Sequence, residues 1–197
     1  MPDCVIPTRA ERERRHGHRG AVIWLTGLSG AGKSTIASGV EQVLFDAGYE
    51  VIVLDGDRLR AGLNRDLGFD ADDRAENVRR VSEVAALLAD AGMIVIVALI
   101  SPFREGRLAA RRAAGDAFHE IYVKADLAVC EARDPKGLYR RARRGEIAEF
   151  TGISSPYEVP EAAELVVDSA QLDAEAAIDL VATYVRASVS FDGPPYS

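Results

Sequence analysis

An apolar run, Ala21-Val22-Ile23-Trp24-Leu25-Thr26, leads directly into Gly27-Leu28-Ser29-Gly30-Ala31-Gly32-Lys33-Ser34, and a helical pattern follows from Lys33 to about Ala47. A buried strand, a turn of pattern G-x-x-x-x-G-K-[ST] and a helix, in that order, restrict the fold more than any other stretch of the chain. Glycines let backbone N–H groups converge on a ligand where a side chain would block the approach, and the helix adds the positive end of its dipole. Such a cradle suits the phosphates of a nucleoside triphosphate with its magnesium ion. Gly27 to Ser34, with Thr35 behind them, are the expected nucleotide contacts. Lys33 is expected to reach the β- and γ-phosphates, and the Ser34 hydroxyl to ligate Mg²⁺.

The 197 residues suit one α/β domain with a sizeable core; 48% are hydrophobic and 28% charged, as in ordinary globular chains. A formal charge of −7 argues against a general nucleic-acid binder. No apolar run approaches a membrane span, and no secretory apolar region begins the chain. Cys4 and Cys130 have neither metal nor disulfide spacing. A reducing, cytoplasmic setting is therefore expected, with no membrane partner.

Three regions are expected: a basic arm over 1–19, a nucleotide-binding domain over 20–190 and a tail over 191–197. The arm carries Arg9, Arg12, Arg14, Arg15, His16, His18 and Arg19, and reads either as a frayed end or as a segment that docks on a partner or nucleotide. Within the domain, apolar strands are expected at 51–54, 93–100, 121–123 and 165–167. Helices are expected at 77–91, 104–114 and 174–189, with Gly92 a natural stop for the first of these. Residues 134–152 combine Pro, Gly and many Arg and read as a mobile or ligand-ordered lid. Strand–helix alternation implies a mostly parallel sheet flanked by helices, with ligands at the strand C-terminal ends. One cleft should then gather Gly27–Ser34, Asp55–Asp57, Ser101-Pro102 and the lid.

A P-loop alone would serve a switch GTPase, a motor ATPase or a small-molecule kinase. No N-K-x-D guanine-reading motif occurs, and an Asp-Gly-Asp directly after the second strand suits a kinase whose carboxylate faces its acceptor. Asp57 is the expected base or hydroxyl-orienting group, and Asp55 is expected beside the magnesium shell. A turn in which an Asp caps the next helix accounts for the same residues.

The segment from Asp55-Gly-Asp-Arg-Leu-Arg through Asp73-Arg-Ala-Glu-Asn-Val-Arg-Arg80 closely resembles the adenylylsulfate kinase family. So do Ile100-Ser-Pro102, Arg133-Asp-Pro-Lys-Gly-Leu-Tyr139 and Glu149-Phe-Thr-Gly-Ile153. Such a resemblance implies a P-loop kinase fold and transfer of the ATP γ-phosphate to the ribose 3′-hydroxyl of adenylyl sulfate, giving 3′-phosphoadenylyl sulfate. It implies an acceptor site of Asp57, Arg60, Phe69, Arg74, Asn77, Ile100, Ser101, Lys136, Phe150 and Thr151. In it, Phe69 and Phe150 sandwich the adenine while Arg60 and Arg74 bind the anion. Either Phe could instead be core, Phe150 being the weaker candidate for that because of its polar surroundings. For Ser101 the family suggests an acceptor contact or a phosphoserine intermediate. Direct in-line transfer needs no covalent stop, and no base adjoins the serine, so a contact is expected.

Lys136, Arg140, Arg141, Arg143 and Arg144 offer lid cations, about half of which a solvated helix face would explain. The family also implies a homodimer; ATP sulfurylase subunits are a further partner that the sequence leaves open. Two positions depart from its common pattern: Arg58 stands in place of Asn, and Leu99 in place of Phe. Ser169–Asp173, expected near the ATP base, offer no distinctive reader. A kinase for another small hydroxyl acceptor and a catalytically silent nucleotide-binding module are the rival readings.

Overall fold

A computed structural model describes residues 6–191; Cys4, with the rest of 1–5, and the 192–197 part of the expected tail lie outside them. Five parallel strands form the sheet in the order β2-β3-β1-β4-β5: β1 is Ala21–Thr26, β2 Val51–Asp55, β3 Ile94–Ala98, β4 Phe118–Lys124 and β5 Leu165–Asp168. Because β1 lies between β3 and β4, the chain reverses its winding direction at the end of β1. Ligands of open α/β sheets bind at such a point.

Period-two alternation in β1 divides the core. Ala21, Ile23 and Leu25 face α2 (Lys33–Asp46) and α8 (Ala174–Ser188), while Val22 and Trp24 face α4 (Ala71–Asp90) and α5 (Arg104–Ala114). All six strand residues are buried. Removing a side chain such as Leu25 from water contributes about 1.5–3 kcal/mol, and a sheet covered on both faces collects this from each side.

Strands and helices fall where alternation and periodicity place them, with three differences. The fourth helix begins at Ala71 rather than Asn77. Its first turn is too polar for a periodicity argument, but Asp70 accepts from Asp73 N at 2.8 Å, and Asp72 and Asp73 suit the positive helix end. The lid contains a short helix, α7 (Leu138–Arg143), whose Tyr139 and Ala142 enter the core. Two further helices, α1 (Arg9–His16) and α6 (Leu127–Arg133), lie outside those expectations, and α3 (Gly56–Arg60) is the Asp-capped helix of the alternative reading.

The basic arm is neither frayed nor free along 9–19. Thr8 and Glu11 form a capping box, and Gly17 closes α1 at φ 75°. Glu13 Oε1 accepts from Gly20 N at 3.0 Å, and Arg9 donates to Gly20 O at 3.1 Å. His18 donates from Nδ1 to Arg19 O and accepts at Nε2 from Glu50 N, 3.0 and 3.1 Å, and is only 2% exposed. Arg19 N donates to Val189 O at 2.9 Å, joining the start of the α/β body to its last helix. Among the described residues no helix is long and apolar enough to cross a membrane.

Candidate active site

A cleft of about 1490 Å³ opens along the C-terminal ends of the strands. Ser29 through Thr35 line it, together with Asp55, Asp57, Arg60, Phe69, Arg74, Asn77, Ile100, Ser101, Lys136, Phe150 and Thr151. Gly27 and Leu28 lie behind the lining and contribute carbonyls. At one end Arg133, Ser169, Leu172 and Asp173 extend the wall beyond the phosphate loop.

Gly27 has φ 151°, and a Cβ there would stand 2.4 Å from Val123 O, so only glycine lets the loop leave β1 against β4. Gly32, at φ 101°, turns the chain into α2. Neighbouring side chains hold the loop from outside: Tyr139 Oη donates to Ser29 O at 2.9 Å and Ser169 Oγ to Ala31 O at 2.7 Å. Lys33 Nζ is buried and donates to Gly27 O and Leu28 O at 2.9 and 2.7 Å. Burial pushes its ammonium down to about 8, because removing a charge from water favours the neutral form.

Ser34 Oγ donates to Asp55 Oδ2 at 2.6 Å. Asp55 Oδ1 meanwhile accepts from Asp57 N at 3.0 Å as the N-cap of α3. The capping reading of Asp55 is therefore seen directly, with one carboxylate oxygen on the cap and the other toward Ser34. Ser34 and Asp55 are hard oxygen donors side by side, the donor type that suits Mg²⁺. Asp57 projects from the first turn of α3 and pairs with Lys136 of the lid.

Several residues expected on the acceptor side are more heavily engaged than the motif alone suggests. Arg60 donates to Leu67 O and Gly68 O, and its guanidinium carbon sits 4.2 Å from the centre of the Phe69 ring. Arg74 donates from Nε to Phe69 O at 2.7 Å, from Nη1 to Thr151 Oγ1 at 2.9 Å and Ser155 Oγ at 3.3 Å, and from Nη2 to Glu149 O. Its fork ties two walls together rather than standing free for an anion. Burial lowers both guanidinium pKa values, and the charge of Arg74 lowers Arg60 further, so an anion between them would relieve a like-charge contact. Asn77 is buried and accepts at Oδ1 from Asn64 Nδ2 at 3.0 Å.

Phe69 is 62% exposed. Phe150, thought the weaker candidate for the core, is buried in it at 8% exposure, edge-on to Tyr139 with ring centres 5.0 Å apart. Its polar sequence neighbours hid this, because the burying partner arrives from α7.

Ser101 lines the cleft but is set deep in it. Its hydroxyl is buried, accepting from Trp24 Nε1 at 3.0 Å and donating to Thr26 Oγ1 at 2.9 Å; Thr26 in turn donates to Ile100 O at 2.7 Å. The hydroxyl's proton and one of its lone pairs are thereby engaged within the fold. Its φ of 40° is a left-handed conformation that costs a non-glycine residue about 1–3 kcal/mol.

Residues 19–168 match the family model described as adenylylsulphate kinase. An adenylyl-sulfate kinase of Bacillus velezensis is 54% identical over 184 residues, 93% of each chain. One from Clostridium acetobutylicum is 53% identical over 178 residues, 90% of this chain and 89% of its own. Among solved structures, the Mycobacterium tuberculosis APS kinase CysC in complex with AMPPNP and APS superposes with a TM-score of 0.78 at 51% identity, covering 83% of this chain and 96% of that one. With the fold, the phosphate loop and the acceptor-side motifs agreeing over that length, the chain belongs to the adenylylsulfate kinase family.

Proposed function

We propose that this protein transfers the γ-phosphoryl group of ATP to the 3′-hydroxyl of adenylyl sulfate, releasing ADP and 3′-phosphoadenylyl sulfate. One observation carries the reading. A single cleft runs from the phosphate loop, past Asp57, to an end walled by an aromatic ring, two guanidinium groups and a buried Asn. Two nucleotides can enter it head to head, with Asp57 between them.

In this reading the loop amides and Lys33 hold the triphosphate, and the phosphate charge restores the Lys33 ammonium. Ser34 and Asp55 would hold Mg²⁺ with the nucleotide, and the ion would neutralise phosphate charge. Asp57 orients the 3′-hydroxyl and takes its proton as the new P–O bond forms and the β–γ bridge breaks. Lys136 gives up Asp57 as the acceptor arrives and turns toward the transferred group. Phe69 and Phe150 bound the adenine, the latter from its core position. Arg60 and Arg74 bring positive charge to the phosphosulfate, Arg74 chiefly by holding the walls. Ser101 is assigned a main-chain contact beside Ile100, with its hydroxyl kept for Trp24 and Thr26. Closure of the lid would exclude water as a competing acceptor.

A reducing cytoplasm, a homodimer and association with sulfurylase subunits complete the reading as expectations. ADP release measured with and without adenylyl sulfate tests it. Strong stimulation by that acceptor, and none by gluconate or another sugar acid, is expected; ADP release indifferent to adenylyl sulfate would overturn the assignment.

A further inference from the structure

Arg107, on α5, is only 3% exposed and lies behind the cleft rather than in it. A buried guanidinium needs partners for its charge and its donors. Its Nε is 2.6 Å from Glu120 Oε1 on β4. Its Nη1 donates to Ser101 O at 2.8 Å and its Nη2 to Glu158 O at 2.7 Å. Ser101 lines the cleft itself, whereas Glu158 lies seven residues past Thr151, where the opposite lining ends. Ser101 is the left-handed residue of the turn through Ile100 and Pro102, and Glu158 ends the segment that follows Phe150 and Thr151. Glu158 N also donates to Pro102 O at 2.8 Å, so the two segments meet at this point. Trp24 and Thr26 hold the Ser101 side chain, but Arg107 holds its peptide.

We propose that Arg107 is a positioning residue for the acceptor. Through one planar fork it fixes the strained Ser101 peptide and the trailing end of the 149–158 loop at a set separation, with Glu120 balancing its charge. Lysine cannot replace it, because one ammonium at the end of a flexible stem does not hold both carbonyls as the two Nη groups of a guanidinium do. The phosphate loop receives no bond from Arg107, so the effect falls on the acceptor alone. The inference rests on adenylyl sulfate being that acceptor.

Two variants of the full chain test it: Arg107→Lys, and the apolar exchange Arg107→Met with Glu120→Leu. The exchange leaves no unpaired buried charge, and such replacements commonly preserve stability. Each is expected to raise the KM for adenylyl sulfate about tenfold or more while the KM for ATP stays within about twofold, since small misplacements of a bound reactant carry penalties of that order. The exchange should keep a melting temperature near the parent's. An unchanged acceptor KM in a folded variant overturns the proposal, as does an equal rise in both KM values; if only one variant folds, that one decides. Failure of adenylyl sulfate to stimulate the parent protein would overturn the reaction assignment instead, and is read separately.

Discussion

Lys33 shows how the phosphate loop stores its chemistry. The ammonium is withdrawn from water and rests on two loop carbonyls that bind it less strongly than phosphate would. With its pKa at about 8, chiefly through burial, a fraction of the lysine is neutral at the upper end of physiological pH. ATP supplies the counter-charge and should pull a proton onto it. Calorimetry at pH 8 in buffers of different ionisation enthalpy is expected to show proton uptake on ATP binding, with affinity falling as pH rises above 8. Equal heats in all buffers would refute this. Lys33→Ala removes charge from the developing transition state, and turnover should drop about 10³-fold, roughly 4 kcal/mol. Turnover within tenfold of the parent would mean that Lys33 has been misassigned.

Between elements, the connections matter more than the elements. Arg74 starts in α4 and ends on the loop after α7, holding the Phe69 and Thr151 walls together. Arg74→Ala should therefore raise the KM for adenylyl sulfate at least tenfold, combining lost charge with a loosened wall, and leave ATP binding unaltered. Titration of each substrate separately checks this, and a matched loss of both affinities would show that the wall is common to the two sites.

The elements themselves were legible to the extent that their signals are local. β1, the loop and α2 announce themselves through apolar runs and glycines, and α5 and α8 through periodicity. The capping box Thr8-x-x-Glu11 was an equally local sign of α1, obscured by the arginines around it. Arg107, Asn64 and the Ser101 hydroxyl were not legible. Nothing in an Arg/Ala-rich helix says which arginine turns inward, and the partners of all three lie far away in sequence or around a turn. Phe150 misleads for the same reason.

At the scale of the whole molecule, stability should respond to acid through the buried His18 and the half-buried His119. His18 is held neutral as both donor and acceptor, and burial keeps it below its ordinary value; burial does the same to His119. The unfolded chain then binds more protons than the folded one as pH falls through about 6.5, so this contribution is present above that pH and lost below it. Melting temperatures from pH 7.5 to 5 should fall less steeply for His18→Gln than for the parent. Parallel slopes would show that His18 carries no part of the acid limb.

The hydrogen bond from Arg19 N to Val189 O has a topological consequence. It closes the α/β body into a near-ring, with its seam at the N-terminal end of β1. The reacting groups lie at the other end of that strand, roughly 20 Å away for six extended residues. Order along the chain and geometry of the cleft are thereby decoupled, so the ring could be reopened between the exposed Gly115 and Asp116 and its old ends spliced without redrawing the place where two nucleotides meet.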